Sequence, residues 1–343
     1  MNRHFRAFLP IIALTAFISP TSAQQAPTPS PATTQPAEPA LDLAIMQLQV
    51  VLDRLGFSPG GIDGKSGQSL TQAIRGFQQA RGLPVTGRLD AATDQALKPF
   101  STIASTRVLR LTENDVAGPF TGRLPDDPAA QAKLPAMGYA NALERLAEKF
   151  HTTPRTLVAL NPGARLTKGA GLRFPNALPT SRDYPADLPD KWRQTLATLN
   201  VSADQPQAAL VVVDKSEGVL KVHDKAGKLV AQFPATMGSR HDPLPIGEWT
   251  IKGSAYNPPF HYNPELFWDV SDSNSKHLLP EGPNGPVGVV WMDLSKPHYG
   301  IHGTPHPETI GRAESHGCIR LTNWDAARLA MMVKPGTKAR FQK

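Results

Sequence analysis

Apolar residues recur at helical spacing over residues 41–55, where Leu41, Ile45, Leu48, Leu52 and Leu55 fall on one face. Gly56 stops that helix, and turn formers fill residues 58–67. A second helix is predicted over 69–79, with Ala73, Ile74 and Phe77 inward, and a third from 93–97 after the turn at 82–87. Further on, the pattern predicts an amphipathic helix at 141–150. A second helix begins at Pro154 and stops at Asn161-Pro162, and a short one surrounds Trp192. The period then changes. Runs rich in Val, Leu and Ile at 210–213, 219–222, 229–233, 248–251 and 288–292 read as strands, and one late helix spans 324–332. The pattern therefore predicts a multidomain chain: a small three-helix unit, an α+β segment, and a mostly-β C-terminal domain.

Composition adds an address. Of 34 prolines in 343 residues, five sit in a 17-residue Pro/Thr/Ala tract at 24–40 that has no apolar periodicity and reads as an extended linker. Ahead of it, residues 1–23 read as a cleaved signal peptide: Arg3 and Arg6 precede a mostly apolar run at 8–18, and Thr21-Ser22-Ala23 supplies a small-residue cleavage site. That run falls well short of the ~20 residues a membrane-spanning helix needs. The expected location is the periplasm. The formal net charge of +7 is dispersed, with no basic run interleaved with aromatics. Nucleic acid is therefore not an expected partner, and an anionic envelope polymer is.

The chain has one cysteine, Cys318, so no internal disulfide is available. A lone thiol in an exported protein invites a functional reading. Around it runs YGIHGTPHPETIGRAESHGCIRLT, residues 299–322. Cysteine catalysis needs a thiolate, a base that moves its proton, and donors for an oxyanion. Cys318 supplies the thiol. His302 ends a predicted strand at 299–302, and Gly303 and Gly317 leave room for close backbone approach. Two other readings use the same residues. His302, His306, His316 and Cys318 include zinc-type ligands, and a binding protein without catalysis is the other reading. The thiol reading requires neither a metal nor a cofactor.

Three resemblances sharpen this picture. The stretch LGFSPGGIDGKSGQSLTQAIRGFQQARGLPVTGRLDAAT resembles a peptidoglycan-binding type 1 domain, through its loop glycines, Asp63-Gly64, Phe77-Gln78 and Thr86-Gly87. The stretch LAEKFHTTPRTLVALNPGARLTKGAGLRFPN resembles the latter part of a LysM module, although some 30 residues separate its first helix from the opening strand that this resemblance implies at 108–111. Residues 207–343 resemble the YkuD-type L,D-transpeptidase catalytic domain. His302-Gly303 precedes Ser315-His316-Gly317-Cys318 by the expected spacing, and Met237-Gly238 and DPLPIGEWTI (242–251) match upstream features. The organisation expected is a signal peptide at 1–23, linker at 24–40, peptidoglycan-binding domain at 41–100, LysM-like segment at 101–180, linker and helix at 181–206, and catalytic domain at 207–343.

The last resemblance implies roles. Cys318 attacks an acyl donor, His302 is base and acid, and the Gly303 carbonyl orients the imidazole. Ser315, His316, Gly317, Tyr299 and Arg320 line the site, with backbone N–H groups near Gly317 and Cys318 as oxyanion donors. Arg320 suits bidentate binding of a substrate carboxylate. The implied partner is peptidoglycan, its stem peptides crosslinked through a thioester. A 3→3 crosslink is the default; a 1→3 crosslink, carboxypeptidase trimming and attachment of an envelope protein acceptor use the same pair. The long aromatic stretch 256–286 is a candidate lid, and its insert HYNPELFWDVSDSNSKH has no counterpart in the family pattern.

Overall fold

The structure, a computed structural model, describes residues 41–266, 275–315 and 317–343. The expected signal peptide and linker, part of the candidate lid, and His316 lie outside the described residues. No helix of the described residues is long and apolar enough to cross a membrane.

The chain opens with three helices, α1 (Leu43–Arg54), α2 (Gln68–Ala80) and α3 (Ala91–Leu97). The Asp42 side chain caps α1 by accepting from the N–H groups of Ala44 and Ile45 at 2.7 and 3.2 Å. Helix α1 buries two faces. Leu52, with Ile45, Leu48 and Leu55 behind it, packs on Phe57, Ala73, Ile74 and Phe77; Met46 and Val50 pack on Ile62 and Ala177. The helical spacing predicts only the first face. The motif residues of the loops have structural work. Buried Gln78 donates to Thr86 Oγ1, Thr93 Oγ1 and the Arg88 carbonyl, and accepts from Gly87 N–H. Gln49 does the same for Asp63, Gly64 and Lys65.

Next come β1 (Thr106–Arg110), the short helices α4 (Glu113–Val116) and α5 (Pro128–Gln131), then α6 (Ala142–Lys149), α7 (Pro154–Leu160) and β2 (Gly171–Pro175). Strands β1 and β2 pair antiparallel. Helices α6 and α7 cover them around Leu146, Phe150, Leu157, Leu172 and Phe174, with Phe150 and Phe174 stacked at 4.2 Å. Asn141 caps α6, and Thr153 caps α7 with Pro154 at its first position.

Helix α8 (Asp190–Thr198) is more than a connector. Trp192 and Leu196 are fully buried in the C-terminal core, and Trp192 stacks on Tyr256 at 4.5 Å. That core belongs to a mixed sheet. Its strands are β3 (Leu210–Asp214), β4 (Val219–His223), β5 (Leu229–Pro234), β6 (Thr236–Met237), β7 (Gly247–Tyr256), and, after the separate hairpin β8 (Phe260–Tyr262) and β9 (His277–Leu279), β10 (Val290–Leu294), β11 (Gly300–His302) and β12 (Ile319–Arg320). Helix α9 (Asn323–Met332) packs on the sheet, and β13 (Lys338–Gln342) closes the chain. The order across the sheet is β5-β4-β3-β13-β7-β10-β11-β12-β6. Most pairs are antiparallel; β13–β3 and β11–β12 are parallel.

The three folded parts are not beads on linkers. Residues Ala40–Lys343 form one compact unit. The loop after α1 covers the edge strand β5: Ser58 N–H donates to the Gln232 carbonyl and Gln232 N–H to Gly56, each at 2.9 Å. Gly56 has φ +94°, and a Cβ there would sit 3.0 Å from the Val230 carbonyl. Beneath this joint is a buried polar hub. Asp53 of α1 binds Arg328 of α9 at 3.1 Å and His151 at 3.0 Å. Ser58 Oγ donates to Asp325 at 2.7 Å, and His151 lies flat on Trp324 at 5.4 Å. Burial alone would raise the Asp53 pKa, yet His151 and Arg328 hold it below the usual carboxylate value.

Candidate active site

The parallel pairing of β11 with β12 builds the site. Ile301 lies opposite Ile319, and His302 opposite Arg320. Cys318 immediately precedes β12 beside Gly300, whose backbone N–H donates to the sulfur. Because side chains alternate along a strand, Gly300, His302, Cys318 and Arg320 share one face. The pairing thus brings the thiol and the imidazole, sixteen positions apart in the chain, to neighbouring strands.

His302 is buried, and its Nδ1 lies 2.7 Å from the Gly303 carbonyl. A carbonyl only accepts, so Nδ1 carries the proton and Nε2 keeps a free lone pair. Burial, with the Arg320 charge adding to it, pushes the imidazole pKa down to about 4 against the opposing pull of the Gly303 bond. Burial pushes the Cys318 thiol up, while the Gly300 N–H and Arg320 pull it down. At neutral pH the resting pair is therefore thiol and neutral imidazole. The thiol points at the His298 carbonyl, 3.8 Å away. A neutral imidazole with a free lone pair, on the face of the sheet it shares with a thiol, has the chemistry to act as a base toward that thiol.

The turn ahead of Cys318 is held by Ser315, which is buried. Its Oγ donates to the Cys318 carbonyl at 2.7 Å and accepts from Gly238 N–H at 2.6 Å. Gly238, which follows β6, is thereby tied to the loop that carries Cys318. Gly317 has φ +93°, and a Cβ there would meet the Tyr299 ring at 2.7 Å. Tyr299 thus roofs the loop, and only glycine fits beneath it. Arg320 reaches the Glu314 carbonyl at 3.5 Å. His316 cannot be placed among the described residues.

Two residues at the site gave no signal in the sequence pattern. Trp291 of β10 pairs with His302 across the sheet and stacks on its ring at 5.4 Å and 20°. Its indole also fills the space over Gly300, where a Cβ would lie 2.4 Å from Trp291 Cζ2. Asn323, fully buried, wedges between Gly288 and Gly303, where added Cβ atoms would come within 2.0 and 2.2 Å of its Oδ1. An Asn at the first turn of a predicted helix reads as a cap, so nothing local marks it.

Beside this face lies a cleft of about 760 Å³. Arg320, Thr304 and Glu308 line it from the sheet side, and Glu144, Glu148 and Arg123 from the segment 101–180. Part of the candidate lid forms another wall: Asn284 is pinned to Gly138 and Glu144, and the Glu281 carbonyl accepts from Met137 N–H at 2.9 Å. Among the described residues no group of three or more His, Cys, Asp or Glu side chains is placed to hold a metal ion.

A mixed sheet that sets a lone thiol beside a buried imidazole defines a thiol–imidazole domain joined to a helical module. Residues 208–340 match the family model for the L,D-transpeptidase catalytic domain, and residues 42–97 that described as "Putative peptidoglycan binding domain". The C-terminal domain belongs to the L,D-transpeptidase family, and the α1–α3 unit to the peptidoglycan-binding family. Among curated relatives, "Putative L,D-transpeptidase YkuD" of Bacillus licheniformis is 28% identical over 199 residues, covering 57% of this chain and 90% of that protein. "Probable L,D-transpeptidase YbiS" of Escherichia coli K12 is 29% identical over 137 residues, covering 38% of this chain but 44% of that one. Among solved structures, the L,D-transpeptidase from Mycobacterium smegmatis overlaps 40% of this chain and 59% of its own, at 24% identity and a TM-score of 0.33. The catalytic domain of the E. faecium enzyme overlaps 40% of this chain and 100% of its own, at 18% identity and 0.30.

Proposed function

We propose that this protein is an exported peptidoglycan L,D-transpeptidase that works through a Cys318 thioester. The observation that carries the reading is the pairing of β11 with β12, which sets Cys318 beside the strand of His302, with Nδ1 of His302 committed to Gly303 and Nε2 left as base. In the first step Nε2 takes the thiol proton as sulfur attacks the amide between the third residue and the terminal D-alanine of a tetrapeptide stem. The C–N bond breaks, and the imidazolium returns the proton to the leaving amine. In the second step an acceptor amine attacks the thioester, Nε2 takes its proton, and the thiolate leaves. Backbone N–H groups at Gly317 and Cys318 face the developing oxyanion in this scheme.

The cleft beside Arg320 suits a stem peptide, which carries both carboxylate and ammonium groups. Arg320 meets the carboxylate, and Glu144 and Glu308 on the cleft walls meet the ammonium. The α1–α3 unit adds affinity for the wall polymer, and the leader at 1–23 directs the chain to the periplasm.

The test is incubation of a defined disaccharide-tetrapeptide with the protein and with Cys318→Ala, followed by mass spectrometry of the muropeptides. Crosslinked dimers formed by the first and absent with the second support the reading, and fragmentation distinguishes 3→3 from 1→3 bonds. Tripeptide without dimers replaces it with carboxypeptidase trimming. Dimers that persist with Cys318→Ala rule the thioester out.

A further inference from the structure

Glu148 is a buried ionisable group that the mechanism does not use. It lies on α6, outside the catalytic domain, and is 4% exposed. Its carboxyl accepts from Tyr139 O–H at 2.9 Å and from Asn323 Nδ2, which lies 3.0 Å from Oε1 and 3.2 Å from Oε2. A leucine at this position would pack without the cost of drying a carboxyl. What the carboxyl adds is an acceptor facing that amide.

That amide holds the backbone of the site. Asn323 Nδ2 also donates to the Pro283 carbonyl at 3.1 Å, and its Oδ1 accepts from Val289 N–H at 3.2 Å. The same Oδ1 lies against Gly303, too close for any side chain there. The Gly303 carbonyl in turn accepts from His302 Nδ1–H at 2.7 Å. The contacts are continuous: Glu148 to Asn323, Asn323 against Gly303, Gly303 to His302. Each member is buried, and each contact is a hydrogen bond or a close packing that a small rotation would break.

We propose that Glu148 is a positioning residue for acyl transfer, setting the Asn323 carboxamide that fixes Gly303 and hence the direction of the His302 imidazole. The 101–180 segment is then part of the catalytic apparatus and not a detached binding module. The inference rests on the reading of Cys318 and His302 as the reacting pair.

The test compares the full chain with Glu148→Gln, Glu148→Leu and Tyr139→Phe. Glutamine keeps an acceptor for Asn323 Nδ2, whereas leucine fills the space and removes it. Glu148→Leu is expected to lower kcat for the tetrapeptide about tenfold with KM within about twofold, as a small misplacement of a catalytic group does. Glu148→Gln should restore kcat to near the parent value, and Tyr139→Phe should leave it near that value. Proton NMR supplies a second readout. The His302 Nδ1–H resonance, assigned by its loss in His302→Gln, should move or broaden in Glu148→Leu and stay in place in Glu148→Gln. Parent-like kcat and an unmoved resonance in Glu148→Leu would overturn the proposal. So would equal losses in the Leu and Gln variants that track a lower Tm with the resonance unmoved, because that pattern marks a purely structural role. A parent protein that neither turns over nor acylates refutes the proposed function instead, and the NMR arm still decides whether Glu148 sets His302.

Discussion

Replacing Asp53 with alanine tests whether the modules are locked together. Asp53 is 3% exposed and faces Arg328, whose side chain is 8% exposed, and His151, whose side chain is 4% exposed. The variant leaves Arg328 with the Asp53 backbone carbonyl at 2.9 Å and with Asp325 at 3.7 Å. Removing one partner from a buried ion pair costs about 3–5 kcal/mol. By contrast Arg123 and Asp126, 88% and 91% exposed, should yield under about 1 kcal/mol when broken. The assay is urea unfolding followed by tryptophan fluorescence, to which Trp324, stacked on His151, contributes. The parent should unfold in one transition, and Asp53→Ala should lower its midpoint or split it in two. The effect has a pH signature. The Asp53 pKa is depressed in the folded chain, so its contribution is present above the unfolded value of about 4 and fades as pH falls through the folded value. A parent that already melts in two steps, or a variant with an unchanged midpoint at pH 7, would refute the account of one cooperative unit.

Other predictions concern the site. The acid limb of kcat/KM should fall near pH 4, set by the depressed His302, with activity lost below it as the imidazole is protonated; a limb at pH 6.5 in the pH–rate profile would contradict the burial argument. Ser315→Ala leaves Gly238 N–H and the Cys318 carbonyl without their shared partner. It should cost about 1–3 kcal/mol in thermal unfolding and slow acylation of Cys318. Gly317→Ala should lose acylation at least tenfold, because φ +93° and the Tyr299 ring both exclude a Cβ; parent-like rates of thiol acylation would count against that geometry.

How far the sequence reaches depends on the range of each interaction. Periodicity finds α1, α2, α6, α7 and the strands β3, β4 and β5, because each shows a face or an apolar run of its own. The resemblance linked His302 with Cys318 through motif spacing alone; the register that sets His302 opposite Arg320 brings Cys318 to the neighbouring strand. What sequence missed is set by partners distant in the chain. Trp291 reads as one more strand residue until β10 brings it against His302. Residues 181–206 look like a connector because one tryptophan makes no pattern, although Trp192 anchors the sheet core. The hub Asp53–Arg328–His151 joins residues 275 and 98 positions apart, so no local signal marks it, and the expected beads on linkers become one unit. The candidate lid is legible as a long aromatic stretch, but its pinning to Gly138 and Glu144 is not.

The central claim is that Cys318 carries the acyl group, and intact-protein mass spectrometry tests it most directly. The full chain is mixed with a tetrapeptide donor in the absence of an amine acceptor, quenched in acid, and digested to locate any adduct. The account predicts a donor-derived acyl group, less D-alanine, on the peptide containing Cys318, absent from Cys318→Ala and strongly reduced in His302→Gln. Turnover of the donor with no adduct on Cys318, or an adduct that survives in Cys318→Ala, would contradict it.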